Sequence, residues 1–200
     1  MRPRQWIAVL LLIGAAVTTW GQNRAEPSTP EERQKALLLT KKLEQKPLGS
    51  AAEADRKWLT QWIIEIPDIT VPVCDELLKP LLTGEMTQYR YSKEMVAQEL
   101  AGSMAYLIEH PQEAKLDDQD DFAVNKAGLE SALNAYEAIV KEGAKGAKWG
   151  PLEEIVKKRA AGDLDDYVRA ATLKCMSGDT VTVGLRSSCR WPKAQSAMGN

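Results

Sequence analysis

This sequence has very little histidine, since His110 is the single one among 200 residues. One histidine excludes zinc sites built from pairs of histidines, and with them the HExxH motif of metalloproteases. The chain also lacks a GxxxxGK(S/T) phosphate loop, a GxSxG nucleophile elbow and an SxxK motif. The sequence therefore predicts no catalytic residue, no metal and no cofactor.

Long apolar runs are confined to the N-terminus. Arg2 and Arg4 precede an apolar stretch from Trp6 to Val17, and Thr19-Trp20-Gly21 places small residues where a signal peptidase needs them. An uncleaved membrane anchor is the alternative, but a span takes roughly 20 apolar residues. We expect residues 1–21 to be a signal peptide cut after Gly21. The mature protein is then periplasmic or secreted, with no stable membrane anchor.

The chain has no excess of positive charge. Removing residues 1–21 removes two arginines and no acidic residue, so the formal net charge goes from −2 to −4. A mildly acidic protein is a poor candidate for binding nucleic acid, which favours a basic surface. We therefore expect no nucleic-acid partner. Residues 22–30 are polar and contain proline, which is typical of a flexible leader.

Strand patterns are nearly absent, whereas helical periodicity covers most of the chain. Apolar residues recur every three or four positions in seven segments joined by short connections. The sequence therefore predicts a single all-α domain at 31–176, a bundle of six to seven amphipathic helices. A mostly irregular tail at 177–200 follows, in which DTVTVGL alternates like a strand. The segments are 31–45, 50–66, 72–82, 92–109, 121–142, 151–161 and 164–176.

Two serines are predicted to begin helices. Ser50 and Glu53 have capping-box spacing, and Ser92 is a favourable N-cap residue. At the other end of the fourth segment, His110 precedes a proline and is predicted to cap the helix C-terminus.

Only three cysteines are present, at positions 74, 175 and 189. In an oxidising compartment cysteines tend to pair. Cys74 and Cys175 both lie on apolar helix stripes, so we favour a bridge between them, which chain entropy values at roughly 4–5 kcal/mol. A Cys175–Cys189 bridge, worth about 3 kcal/mol, is the alternative. In the favoured pairing Cys189 is the unpaired cysteine.

Aromatic residues suggest two surfaces. The Tyr89-Arg90-Tyr91 loop has the composition of interaction surfaces if it is exposed, and it is the candidate partner contact. Trp58 and Trp62 are one helical turn apart and would form a stacking platform if exposed. We favour the interpretation that both belong to the core.

Carboxylates are numerous, and Glu94 and Glu99 lie on the fourth segment. Acidic residues at these positions are expected at a helix start or on a solvated face. A fold can still bring two carboxylates together without any motif, so an exported hydrolase with such a pair is the alternative function. A cleft with two facing carboxylates would favour it.

The segment MAYLIEHPQEA resembles the YL..HPE segment of small, helical, disulfide-bonded periplasmic immunity proteins of type VI secretion systems. The resemblance covers eleven of the 200 residues, and the Cys-Pro that the family carries in its middle is absent here. It implies a protein that binds a partner tightly and stoichiometrically.

Taken with the missing catalytic motifs, these features predict a non-enzymatic exported protein that binds an unknown protein partner, with an immunity or inhibitor protein as the specific form. A carrier of a small apolar ligand is a third interpretation and would need a cavity between helices.

Overall fold

Seven α-helices form the protein in the computed structural model, which describes residues 26–82, 89–114 and 121–177. No strand occurs within these ranges, which confirms the all-α bundle. The predicted cleavage site after Gly21 and the tail beyond Ser177 lie outside them, as does DTVTVGL. The helices are α1 (Pro30–Gln45), α2 (Ser50–Glu65), α3 (Asp75–Leu82), α4 (Ser92–Glu109), α5 (Asp121–Lys141), α6 (Gly150–Ala161) and α7 (Leu164–Ser177), with a 3₁₀ helix at Pro111–Glu113.

The pair α4 and α5 forms the centre of the bundle and packs together over much of its length. One apolar cluster joins α1 and α2 to α4, and the other joins α3, α6 and α7 to α5 and the start of α4. No helix of the described ranges is long and apolar enough to cross a membrane. The largest fully buried side chains are Leu43, Leu59, Leu77, Leu81, Met95, Met104, Leu107, Leu129, Leu133, Tyr136, Ile139 and Leu152.

Two glycines allow α4 and α5 to approach closely. A Cβ atom on Gly102 would lie 2.4 Å from the Cβ of Ser131, and one on Gly128 would lie 2.3 Å from the Oγ of Ser103. Both distances are far below van der Waals contact, so only glycine fits at either position. The small residues of the two helices therefore set their spacing.

The predicted caps at Ser50 and Ser92 are wrong. Gly49 is the N-cap of α2, with a φ of 97°, and its carbonyl accepts the first helical hydrogen bond, from Glu53. Ser50 therefore already lies inside the helix, and no side chain caps this end. Tyr91 is the N-cap of α4, and the hydroxyl of Ser92 donates backwards to a carbonyl of the preceding turn. In both cases the turn before the helix decides where it begins.

The third helix begins later than predicted, at Asp75 rather than Pro72. The carbonyl of Cys74 accepts the amide of Leu77 at 3.1 Å, so Cys74 is the residue from which the helix starts. Pro80 lies inside α3 without ending it. Its carbonyl accepts a hydrogen bond of 2.8 Å from the Nε1 of Trp149, which ties α3 to the start of α6.

Candidate functional site

The two tyrosines of the Tyr89-Arg90-Tyr91 turn are buried, with 3% and 9% of their surface exposed. The predicted contact patch required them to be exposed, so that prediction is wrong for Tyr89 and Tyr91. The Tyr89 hydroxyl donates to the carbonyl of Ala147 at 3.0 Å, and the Tyr91 hydroxyl donates to that of Lys145 at 3.1 Å. Both side chains therefore hold the connector between α5 and α6 against the start of α4.

An aromatic cluster surrounds Tyr89. Its ring stacks on Trp149, with centroids 5.7 Å apart, and meets the edge of Tyr136 at 6.2 Å. The Tyr136 hydroxyl donates to the carboxylate of Glu153 and accepts the Trp149 amide at 3.1 Å. Burial raises the pKa of Tyr89 and raises the pKa of Tyr136 to about 12. Both hydroxyls therefore stay protonated at neutral pH and act as donors.

Arg90 is the exposed member of this turn and lies beside the connector between α5 and α6, which carries two lysines. Its Cδ lies 4.0 Å from the position of a Cβ on Gly146, in the connector that the tyrosines hold. Lys145 and Lys148 of that connector are exposed, and so is Lys93 at the start of α4. We call Arg90, Lys93, Lys145 and Lys148 the basic cluster. None of the four forms an ion pair with any residue in the described part of the chain.

An open groove of about 1170 Å³ lies between α2 and α4 and continues to the basic cluster through Lys93. Leu48, Val96 and Leu100 are half-buried residues of its lining, while Ile64 is 77% exposed. The sequence predicts Val96 and Leu100 to face inward. Val96 does pack against the apolar core, but both side chains are only half-buried. The lining is Pro47, Leu48, Gly49, Ser50, Glu53, Arg56, Lys57, Thr60, Gln61, Ile64, Glu65, Ser92, Lys93, Glu94, Val96, Ala97 and Leu100.

Arg56 fixes one wall of the α2–α4 groove. Its guanidinium donates to the carbonyl of Pro47 and lies 4.0 Å from the carboxylate of Glu94, so it links the loop before α2 to the first turn of α4. Glu65, at the other end of α2, accepts a hydrogen bond of 2.8 Å from Gln61. The groove lining contains three carboxylates, Glu53, Glu65 and Glu94. Neighbouring side chains therefore engage two of them, Glu65 and Glu94.

Cys74 and Cys175 are bonded, with sulfur atoms 2.07 Å apart across 101 positions of sequence. This agrees with the favoured pairing and excludes the Cys175–Cys189 alternative in this structure. Cys189 lies outside the described residues. The bridge joins the start of α3 to the end of α7 and contributes no residue to the α2–α4 groove.

Glu99 is fully buried at the contact of α4 and α5, contrary to the expectation of a solvated position. Its Oε1 is 3.3 Å from the position of a Cβ on Gly128, and within the described residues neither carboxyl oxygen has a hydrogen-bond partner. Burial raises the pKa of Glu99 to about 8. The carboxyl is therefore largely protonated at neutral pH. It has no exposed surface, so it does not reach a substrate.

Other buried polar groups beside Glu99 are connected across three helices. The amide of Gln98 donates to the Thr40 carbonyl at 3.1 Å and to the Ser131 hydroxyl at 2.8 Å. Ser131 donates to Glu44 at 2.6 Å, so α1, α4 and α5 share one network. A buried hydrogen-bonded network of this kind favours one arrangement of the three helices, because another packing would leave its polar groups without partners.

The tryptophan pair of α2 is divided between core and surface. Trp62 is 4% exposed, and Trp58, which is half-buried, stacks on it at 5.7 Å between centroids. Lys35 of α1 lies 3.8 Å above the Trp58 ring. Because a cation already covers the Trp58 ring, the pair serves the packing of α1 on α2. The core interpretation holds for Trp62, whereas Trp58 packs against the core and is only half-buried.

His110 is the C-cap residue of α4, as predicted. Its amide donates to the Tyr106 carbonyl at 2.9 Å, and its ring stacks on Tyr106 at 4.0 Å. The 3₁₀ helix that begins at Pro111 follows directly. The HPQE part of the segment that resembles immunity proteins is therefore a helix end in this chain.

Within the described ranges, no group of three or more histidine, cysteine, aspartate or glutamate side chains is arranged to hold a metal ion. No family model, no curated protein and no solved structure matches this chain.

Proposed function

We propose that this protein is an exported, non-enzymatic binding protein that holds a segment of a partner protein in the α2–α4 groove. The observation that carries the proposal is the groove lining. Leu48, Val96 and Leu100 are half-buried and keep part of their surface exposed in the groove. Ile64, which also lines it, is the most exposed large apolar side chain among the described residues. Apolar surface that the fold leaves uncovered in a concave site is typical of binding sites.

The shape of the groove suits a helical segment. Val96 and Leu100 are four residues apart on α4, and Thr60 and Ile64 are four residues apart on α2, so the two walls present apolar and small side chains at one-turn spacing. An amphipathic helix places its anchors at the same spacing when it lies in a groove. The partner segment is accordingly an amphipathic helix.

The groove carboxylates favour binding over hydrolysis. An acid–base pair needs two carboxyl groups free to face a substrate. Glu94 is drawn to Arg56 and Glu65 is bonded by Gln61, which leaves Glu53 as the groove carboxylate without such a neighbour in the described chain. The carboxyl group with the strongly raised pKa, that of Glu99, lies inside the bundle.

Position-specific crosslinking in the producing cell tests the proposal. A photocrosslinking amino acid replaces Gln61, which is exposed and lines the groove, and the same amino acid replaces Ala160, which is exposed on α6. We expect one discrete protein adduct from position 61 and none from position 160. Equal adducts from both positions, or none from position 61, would contradict the proposal.

A matched pair of substitutions separates groove binding from general surface effects. Ile64→Asp places a charge in the groove, whereas Leu38→Asp places one on α1, outside the groove, at a side chain that is 63% exposed. Neither side chain is buried, so both variants are expected to fold. The adduct at position 61 should disappear in Ile64→Asp and persist in Leu38→Asp. Persistence in both variants would refute a role for the groove.

A further inference from the structure

We propose that the partner segment carries aspartate or glutamate residues at the end that lies over Arg90, so that an acidic terminus follows its apolar stripe. This inference rests on the proposed function, because it names the chemistry of the segment that the α2–α4 groove receives. It derives from the basic cluster, whose side chains are Arg90, Lys93, Lys145 and Lys148.

The four cations of the basic cluster belong to two chain segments that the buried tyrosines hold side by side. Tyr91 bonds the carbonyl of Lys145, and Tyr89 bonds that of Ala147, so Arg90 lies between two fixed points beside the connector. Lys93 follows Arg90 by three residues, within one helical turn. The two segments that carry the positive charges are therefore held together by the fold, although Tyr91 and Lys145 are 54 residues apart in sequence.

Among the described residues, the carboxylates in the first turns of α4 and α6 are already engaged. Glu94, in the first turn of α4, lies beside Arg56, and Glu153, in the first turn of α6, accepts the hydroxyl of Tyr136. The four cations consequently remain without a partner inside the described residues, in a chain whose formal net charge is −2.

The positions of these cations are unfavourable for the fold itself. Arg90 and Lys93 lie at the start of α4, and Lys148 lies two residues before α6 begins. Helix N-termini carry partial positive charge and favour acidic residues, so cations there cost stability, a few tenths of a kcal/mol being typical. The Tyr89–Trp149 stack brings both helix starts together. An incoming carboxylate would be attracted by the side chains and by both helix ends.

Continuity with the groove decides what kind of acidic partner fits. Lys93 belongs to the basic cluster and also lines the α2–α4 groove, next to Ser92 and within one turn of Val96. A ligand that occupies both surfaces is apolar over the groove and negatively charged at one end. A protein helix has this composition, whereas a nucleic acid is charged along its whole length and leaves Val96, Leu100 and Ile64 uncovered.

Two fluorescent peptides provide the test on the full mature chain. Both have the 16-residue length of α2 and a leucine stripe at helical spacing, and they differ only in ending with three glutamates or three lysines. Fluorescence anisotropy measures binding at about 0.05 M and about 0.5 M salt, a range over which exposed charge pairs become screened. We expect the acidic peptide to bind about tenfold more tightly at low salt, and the difference to shrink at high salt.

Charge reversal provides the matched control. The triple variant Arg90→Glu, Lys145→Glu and Lys148→Glu should reverse the order of the two peptides. The triple variant Lys41→Glu, Lys158→Glu and Lys174→Glu makes the same change of charge at exposed positions on α1, α6 and α7. This second variant should still bind the acidic peptide more tightly than the basic one. Its affinity for the acidic peptide should fall only slightly, because its net charge is more negative.

The outcomes separate this inference from the proposed function. Three results would each overturn the inference. The first is equal affinity for both peptides, and the second is no binding of either peptide at about 1 mM. The third is a first triple variant that still binds the acidic peptide more tightly. A single-stranded DNA oligonucleotide that binds more tightly than the acidic peptide would overturn it as well. The crosslinking at position 61 is independent of these results. A groove adduct together with any overturning result would refute the acidic terminus and leave the groove proposal standing.

Discussion

The ring of Tyr89 stacks on the ring of Trp149, with centroids 5.7 Å apart and planes inclined by 20°. This contact joins the residues just before α4 to the residue just before α6. The hydroxyl of Tyr89 reaches past the stack to the carbonyl of Ala147 at 3.0 Å. The exposed basic cluster is therefore built on a buried aromatic support, and perturbing that support should weaken the fold before it alters any binding.

Tyr89→Phe should lower the free energy of unfolding by about 1–3 kcal/mol, because it leaves the buried acceptor on Ala147 without its donor while the ring contacts remain. Urea unfolding followed by circular dichroism measures the change. Tyr167→Phe is the control and should change stability by much less, because the Tyr167 hydroxyl makes no hydrogen bond within the described residues. Equal effects would show that the bond to Ala147 contributes nothing.

Glu99 should make the protein less stable as the pH rises. The pKa of its carboxyl is raised to about 8 from a reference of 4.5, so between these values the folded state holds a proton that the unfolded state has lost. The free energy of unfolding is therefore not reduced by Glu99 below pH 4.5. Above that pH it falls by on the order of 1 kcal/mol for each pH unit, up to about pH 8.

The variant Glu99→Gln isolates this effect, since its amide is neutral at every pH. We expect the variant to resemble the parent protein near pH 5 and to exceed its stability by several kcal/mol near pH 8, measured by urea unfolding at each pH. A difference between the two proteins that does not change with pH would show that Glu99 is not a buried titrating group.

Gly102→Ala should destabilise the α4–α5 contact by about 1–3 kcal/mol, because the added methyl group lies 2.4 Å from the Cβ of Ser131 and 2.9 Å from the Ala127 carbonyl. Gly150→Ala is the matched control, since nothing lies within 4 Å of a Cβ there. Its unfolding midpoint should stay the same or rise. Similar losses in both variants would mean that helix spacing does not depend on Gly102.

Removal of the Cys74–Cys175 bridge should cost about 4–5 kcal/mol, the value that chain entropy gives for a loop of roughly 100 residues. The double variant Cys74→Ser and Cys175→Ser is compared with Cys189→Ser, which removes the third cysteine alone. Thermal unfolding measures both. A double variant as stable as Cys189→Ser would contradict the structural contribution of the bridge.

Local patterns predict the helices well, because periodicity and helix-ending residues act within a few positions. The pairing of Cys74 with Cys175 is predictable for the same reason, since both cysteines lie on apolar stripes of helices. The burial of Tyr89 and Tyr91 cannot be predicted in this way, because it depends on a connector that lies 54 to 58 residues further along the chain. A loop tyrosine looks the same in sequence whether or not another segment covers it.

The sequence does not predict the α2–α4 groove or the burial of the Glu99 carboxyl, for a related reason. Periodicity assigns Val96 and Leu100 to the inward side of α4, but it does not show how much of each side chain the neighbouring helices leave exposed. Glu99 lies within the same turn as Leu100 and would ordinarily be placed on the solvated face. Its burial follows from the close approach that Gly128 allows, which is a property of two helices together.

Amide hydrogen exchange on the full chain, with and without the partner captured by crosslinking at position 61, tests the central claim most directly. If the partner occupies the α2–α4 groove, its binding should slow exchange in residues 50–65 and 92–100 and leave α7 unchanged. Slower exchange confined to α6 and α7, with α2 and the first half of α4 unaffected, would contradict the groove as the binding site.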